Sequence, residues 1–230
     1  MLESIGGINC VNKLLHQYVI NLSLLIVVLL KKLLLCDSMG KNLGELPGVE
    51  QRVVRGATIE TFIEALSSGE IDLTGKDAVL VMVGTNDMAR SYNPQAVLAL
   101  MGSLIRRIHQ AHDSIHVVVS GILPRLCDLA KSEQPVKDYN KMLGRVCRDS
   151  RIMMIRSYNG FISGKERRGV REWLYAKDGL HLSDRGSCVL TQMLRVQFSD
   201  RNILQRMEKI SAEAELKDDR NESFGMNYGH

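Results

Sequence analysis

Residues 79–87 constrain the fold more than any other stretch, because they join a buried strand to a polar turn. The first five, Val-Leu-Val-Met-Val, are apolar without alternation, which indicates a strand covered on both faces in a parallel sheet. Gly84 ends this strand, and Thr85, Asn86 and Asp87 follow. Ligands of open parallel sheets bind beyond the carboxyl ends of the strands. We therefore expect Asn86 and Asp87 at the rim of a site, although for this stretch alone a simple turn is the alternative.

The length and composition fit one globular domain with an ample core. The chain has 230 residues, of which 45% are apolar and 24% charged. Its net charge of +4 is mildly basic and does not by itself indicate a nucleic-acid partner. The five cysteines are odd in number and form no Cys-x-x-Cys pair, so neither a zinc site nor a disulfide framework is predicted. A reducing compartment is the simpler interpretation.

The N-terminal residues 1–30 are unusually apolar. From residue 14 to residue 30 there is no Lys, Arg, Asp or Glu, which is close to the shortest length that crosses a bilayer. A signal peptide is disfavoured because no small-residue cleavage site follows and residues 31–36 read as the first strand. We interpret the segment as an extension that is not cleaved. Membrane contact by residues 14–30 stays open, with a cytoplasmic location favoured over a membrane anchor.

The remaining pattern alternates strands and helices. Strands are predicted at 33–36, 49–54, 114–121 and 152–155, and helices at 59–66, 93–112, 135–147 and 185–210. This order predicts an α/β fold with three layers, α/β/α, over residues 31–210. Residues 211–230 are polar and are predicted to be disordered.

Polar residues with complementary chemistry follow the strands or lie in a late loop. Ser38 follows the first strand, Gly56 the second and Asn86 the third, and Asp178 lies three residues before His181. Acyl transfer needs a nucleophile, a base, a group that orients the base, and donors to the oxyanion. Ser38 can attack, His181 can accept its proton, and Asp178 can hold the imidazole. Backbone N–H groups of Ser38 and Gly56, with the Asn86 amide, can form the oxyanion hole.

These blocks resemble those of the SGNH (GDSL-type) hydrolases. The first block is Cys36-Asp-Ser-Met39, where the family usually has Gly-Asp-Ser, and the others are Gly56, Gly84-Thr-Asn-Asp87 and Asp178-Gly-Leu-His181. The resemblance covers residues 31–206 and implies a flavodoxin-like parallel sheet with order 2-1-3-4-5. It also implies esterase, lipase or thioesterase activity with no cofactor and no metal. The blocks are similar, too, to esterase-like domains carried by some animal retroelements.

We therefore predict a serine hydrolase that cleaves a carboxylic ester with a small or medium acyl group. Cys36 stands where the family usually has glycine, and we expect it to tune activity rather than abolish it. Two alternatives stay open: a binding module of the same fold without turnover, and a nucleic-acid-associated protein of retroelement descent. The basic residues 165–168 and Arg171 are interpreted as a solvated loop rather than a nucleic-acid site. His109 and His112 are interpreted as surface residues rather than metal ligands.

Overall fold

A computed structural model describes residues 29–150, 152–163 and 169–210. The predicted tail at 211–230 and all but the last two residues of the predicted extension at 1–30 lie outside these ranges. The described chain contains a parallel sheet of five strands in the order β2-β1-β3-β4-β5, which confirms the predicted order. The strands are β1 (Lys32–Cys36), β2 (Val49–Val53), β3 (Ala78–Met82), β4 (His116–Ser120) and β5 (Met153–Ile155).

The central strands β1 and β3 are buried along their whole length. Successive side chains of a strand point to opposite faces. In β1, Leu33 and Leu35 therefore join one hydrophobic cluster, whereas Leu34 and Cys36 join the other. A sheet with an apolar core on each face must be covered on both sides, which is why neither strand alternates with polar residues.

Between residues 59 and 197, five helices of the described chain connect and cover the strands. They are α1 (Ile59–Ser67), α2 (Thr85–Ser91), α3 (Pro94–Ala111), α4 (Leu129–Asp149) and α5 (Asp184–Gln197). Buried residues of α1, α3 and α4 pack in the cluster that contains Leu33, and those of α5 pack in the cluster that contains Leu34. This arrangement confirms the three-layer α/β/α fold. Short 3-10 helices occupy Ser38–Gly40, Ser157–Phe161 and Glu172–Leu174.

Helix boundaries differ from the predicted ones in three places. Helix α4 begins at Leu129 rather than at residue 135, and Pro135 lies inside it. The stabilisation from burying Ser132 and Val136 outweighs the loss of the helical hydrogen bond that Pro135 cannot donate. The predicted terminal helix is interrupted at residues 198–199, and residues 200–210 form a second helical stretch. Residues 85–91 form helix α2, so Asn86 and Asp87 lie in its first turn. The sequence predicted only that residues 85–87 follow the strand at the rim of a site.

The sheet edge that carries the polar residues is set by strand pairing. Cys36 at the end of β1 pairs with Val53 of β2 and with Met82 of β3. The three strands therefore end together, and adjacent strands are about 4.8 Å apart. Consequently, the segments that contain Ser38, Gly56 and Asn86 begin side by side at one edge, as the sequence predicts.

Candidate active site

Ser38 is held at the start of a tight turn directly after β1. Asp37 caps this turn, because its carboxylate accepts a hydrogen bond from the backbone N–H of Met39 at 2.9 Å. The turn packs closely on the strand: a Cβ added at Gly40 would lie 2.6 Å from the Cys36 Sγ. Ser38 is half-buried, whereas Asp37 and Met39 are buried. The turn thus presents the predicted nucleophile, Ser38, at the surface.

The structure brings the three predicted catalytic side chains together. The Nε2 atom of His181 lies 3.1 Å from the Oγ of Ser38, and its Nδ1 atom lies 2.7 Å from the Oδ2 of Asp178. The hydrogen bond to His181 lowers the pKa of Asp178 to about 2. Asp178 is therefore a carboxylate at neutral pH and favours the tautomer with the proton on Nδ1. In that tautomer, Nε2 is free to accept the proton of Ser38.

The loop that carries Asp178 and His181 is a rigid turn. The Oδ1 of Asp178 accepts hydrogen bonds from the backbone N–H groups of Leu180 and His181, both at 2.9 Å. Gly179 between them has φ of +65°, a left-handed conformation that favours glycine. One carboxylate therefore orients the imidazole with one oxygen and shapes the turn with the other.

Gly56 and Asn86 follow the strands on either side of β1, and Asn86 is hydrogen-bonded to Ala57, the residue after Gly56. The Nδ2 of Asn86 donates to the backbone carbonyl of Ala57 at 2.8 Å. A side-chain amide has two N–H donors, so one remains for another acceptor. Gly56 has φ of +71°, and a Cβ there would meet no atom within 4 Å. Among the described residues, the backbone N–H groups of Ser38 and Gly56 have no protein acceptor.

Two buried carboxylates support this edge of the sheet. Burial raises the pKa of Asp37 to about 6, although a hydrogen bond from the backbone of Met39 opposes the shift. Asp87 accepts the backbone N–H of Ile59 with both oxygens, each at 3.2 Å, and so joins the start of α2 to the start of α1. Burial raises the pKa of Asp87 as well. Asp87 is thus buried and holds the starts of α1 and α2 together, and does not lie at the rim of the site as expected.

A hydrogen-bonded network around Arg125, which the sequence did not predict, contacts the start of α2. Arg125 is buried and donates from Nη1 to the carbonyl of Thr85 at 3.0 Å and from Nη2 to Asp128 at 2.8 Å. Burial alone would raise the pKa of Asp128, but hydrogen bonds, first among them that from Arg125, lower it below its ordinary value. Tyr92 donates to the same carboxylate at 3.0 Å. A single Arg in an apolar loop after a strand gave no signal for this role.

The segment that follows Arg125 contacts the catalytic loop directly. The backbone N–H groups of Leu126 and Cys127 donate to the carbonyl of Gly179 at 2.8 and 3.0 Å. A Cβ at Gly179 would lie 2.9 Å from the Cys127 nitrogen. The segment thus connects the start of α2, through Arg125, to the turn that carries Asp178.

A small and partly apolar cavity lies at the carboxyl ends of β1, β3 and β4. A cavity of about 20 Å³ is lined by Asp37, Met39, Met82, Val83, Thr85, Gly121, Ile122 and Leu123. No cluster of three or more His, Cys, Asp or Glu residues suited to a metal occurs in the described residues. Within the same ranges, no helix combines the length and the hydropathy needed to cross a bilayer.

The remaining predictions about individual residues are only partly open to inspection. His109 lies on α3, where it stays predicted as a surface residue. Arg171 donates to the carbonyl of Gly160 at 3.4 Å. The basic residues 165–168 lie outside the described ranges. Cys36 is fully buried, and the contact between Ser38 and His181 forms with it in place.

Comparison with known proteins identifies a family match over most of this domain. The model of the GDSL-like Lipase/Acylhydrolase family matches residues 35–187, which include Ser38, Gly56, Asn86, Asp178 and His181. No curated protein matches significantly.

Solved structures share the fold at low sequence identity. A Streptococcus pneumonia protein provisionally described as a platelet activating factor has a TM-score of 0.61 at 20% identity, covering 74% of this chain and 84% of that one. A GDSL-like lipase from Bacteroides thetaiotaomicron has a TM-score of 0.57 at 19% identity, covering 72% and 86%. An esterase domain from a zebrafish retrotransposon has a TM-score of only 0.41 at 20% identity, covering 74% and 98%. The first two similarities show the fold and leave the substrate open.

Proposed function

Because this chain belongs to the GDSL-like lipase/acylhydrolase family, we propose that it is a serine hydrolase that cleaves a carboxylic ester with Ser38 as nucleophile. The observation that carries this proposal is the continuous hydrogen-bonded line from Ser38 through His181 to Asp178, with distances of 3.1 and 2.7 Å. This geometry matches the requirement that a nucleophile contact its base and that the base be oriented by a third group. Ser38 comes from the 3-10 turn after β1, and Asp178 and His181 come from a loop that begins 140 residues later.

The reaction follows two balanced steps. As Ser38 Oγ bonds to the ester carbonyl carbon, its proton moves to His181 Nε2, and the carbonyl oxygen becomes an oxyanion. The tetrahedral intermediate then collapses: the bond to the alcohol breaks, and the alcohol oxygen takes the proton from His181. Water repeats the sequence on the acyl-enzyme, with His181 again accepting and returning a proton. Ser38 leaves with its hydroxyl restored and the carboxylic acid is released.

The oxyanion is stabilised by the backbone N–H groups of Ser38 and Gly56 and by the amide of Asn86. The first two have no protein acceptor within the described residues, so they are available to a substrate oxygen. Asn86 is fixed by its bond to the carbonyl of Ala57, which leaves its second N–H for the oxyanion. Donors fixed before the reaction need no reorganisation, and each contributes about 3–4 kcal/mol to lowering the barrier.

The acyl group is proposed to be short. The cavity of about 20 Å³ is lined by Asp37 and Met39, the two chain neighbours of Ser38, and by the buried Leu123. A space of this size holds roughly one water-sized group, so it suits an acetyl methyl and excludes a long chain.

Steady-state hydrolysis of p-nitrophenyl esters tests the proposal. We expect turnover of the acetate ester and a fall in kcat/KM from acetate to octanoate. Ser38→Ala should lose turnover while its free energy of unfolding stays the same as that of the wild type. Cys36→Gly is the companion variant, because it restores the residue usual in the family; comparable or modestly changed turnover is expected. Absence of ester turnover in both the wild type and Cys36→Gly would instead favour a binding module that keeps the fold without catalysis.

A further inference from the structure

A second concave surface lies at the β5 edge of the sheet, and its lining contains none of Ser38, Asp178 and His181. A groove of about 470 Å³ runs between α4 and the edge strand β5. Its lining contains five basic residues, Lys137, Lys141, Arg145, Arg148 and Arg156, and no acidic one. Five of the 30 Lys and Arg residues of the chain therefore line a single groove.

Four of these cations form a row along one helix face. Lys137, Lys141, Arg145 and Arg148 follow one another at spacings of three and four residues on α4, so they point in the same direction. With a rise of 1.5 Å per residue, the row is about 16 Å long. Arg156, after β5, faces it from the opposite wall.

Most of this charge is uncompensated. Lys137 contacts Glu133 at 2.5 Å. In the part of the chain that the structure describes, Lys141, Arg145, Arg148 and Arg156 have no ion pair, and all four are exposed. Like charges held this close repel one another, and an anionic ligand relieves that repulsion.

We propose that this groove binds the phosphodiester backbone of a single-stranded nucleic acid. A row of about 16 Å fits a ligand that carries several phosphates in succession, whereas a single phosphate needs donors that converge on one point. Tyr158 is the one aromatic side chain in the lining and is only 9% exposed, so base stacking is minor. Binding is therefore electrostatic and independent of sequence.

A membrane surface is a poorer fit for the same charges. Peripheral membrane binding combines basic residues with exposed apolar side chains that enter the lipid. The large apolar side chains exposed in the described residues are Leu29, Val146, Trp173 and Val196. None of the four lines the groove, and the lined surface is concave.

Fluorescence polarisation of a labelled 12-nucleotide oligouridylate, titrated between 50 and 300 mM NaCl, tests the proposal. Four phosphates neutralised by the four unpaired cations predict a slope of log K against log [salt] of about −3. Arg145→Gln/Arg148→Gln should weaken binding at every salt concentration and make the slope shallower by about 1.4. Arg106→Gln/Arg201→Gln removes the same charge from exposed positions outside the groove and should leave the slope unchanged.

Several results would overturn this inference. Equal losses in the two double variants would mean diffuse attraction to a basic protein, and a slope near −1 would mean a site for one phosphate. Groove-dependent binding to phosphatidylserine vesicles, without oligouridylate binding, would identify a membrane surface. Hydrolysis of p-nitrophenyl acetate should be the same in the wild type and in Arg145→Gln/Arg148→Gln. Because the two assays are independent, failure of the esterase proposal leaves this one testable.

Discussion

The catalytic loop can be tested by adding a single methyl group to Gly179. Alanine there must adopt a left-handed backbone, which costs about 1–2 kcal/mol. The new Cβ would also lie 2.9 Å from the Cys127 nitrogen and 3.1 Å from the Leu126 Cβ. These atoms belong to the backbone segment that donates two hydrogen bonds to the Gly179 carbonyl. Relief of the contact must move one segment or the other, and overpacking of this kind adds about 1–3 kcal/mol.

Gly69 provides the matched control. Its φ of +78° imposes the same backbone cost on alanine, but a Cβ there meets nothing within 4 Å. Urea denaturation should show a loss of about 1–2 kcal/mol for Gly69→Ala and a larger loss for Gly179→Ala. The control should retain full esterase kcat. In Gly179→Ala, a shift of about 1 Å at His181 should lower kcat by about 10²-fold. Equal stability losses together with unchanged kcat in both variants would refute the argument that this contact positions the base.

Three further predictions follow from individual contacts. Asn86→Ala should lower kcat by about 10²–10³ with little change in KM, as measured by steady-state kinetics. Asn86→Asp should be at least as damaging, because a carboxylate repels the oxyanion. A rise in KM alone would exclude the donor role of Asn86. Asp37 has a folded pKa of about 6, above its unfolded value, so its ionisation should reduce stability as pH rises from about 4 to about 6. Asp37→Asn should remove that decline in urea denaturation, and an unchanged pH profile would contradict it. Arg125→Met should lower the free energy of unfolding by about 3 kcal/mol, because Asp128 loses its ion-pair partner. Arg125→Met/Asp128→Leu should recover part of this loss. A double variant no more stable than Arg125→Met would show that the unpaired carboxylate is not the cause.

The parallel sheet was predictable because the central strands have an unambiguous pattern, whereas its order 2-1-3-4-5 was implied by the resemblance to the SGNH hydrolases. Continuous apolar runs at residues 33–36 and 79–83 leave few alternatives to buried parallel strands. The polar residues that follow these runs could be assigned to one edge, since parallel strands end together. Spacing alone also indicated that Asp178 and His181 share a loop. Local sequence and one rule, that parallel strands end at the same edge of a sheet, were enough for these assignments.

The parts that were missed depend on tertiary contacts. Helix α4 starts before Pro135 because buried side chains stabilise its first turns, which local propensity does not reveal. Arg125 supports the site through contacts with Thr85 and Asp128, 40 residues and three residues away. The basic groove is not evident from the sequence, because its cations are three or four residues apart and become neighbours only on one face of a helix. The cluster singled out instead, at residues 165–168 and Arg171, lies mostly outside the described residues.

The central claim is that Ser38 is the nucleophile, and covalent labelling tests it most directly. A fluorophosphonate probe forms a bond from Ser38 Oγ to phosphorus, fluoride leaves, and His181 accepts the serine proton. Peptide mapping should find one modified residue, Ser38, with labelling abolished in Ser38→Ala and slowed in His181→Ala. Modification of a different residue, or undiminished labelling of a folded Ser38→Ala variant, would contradict the account.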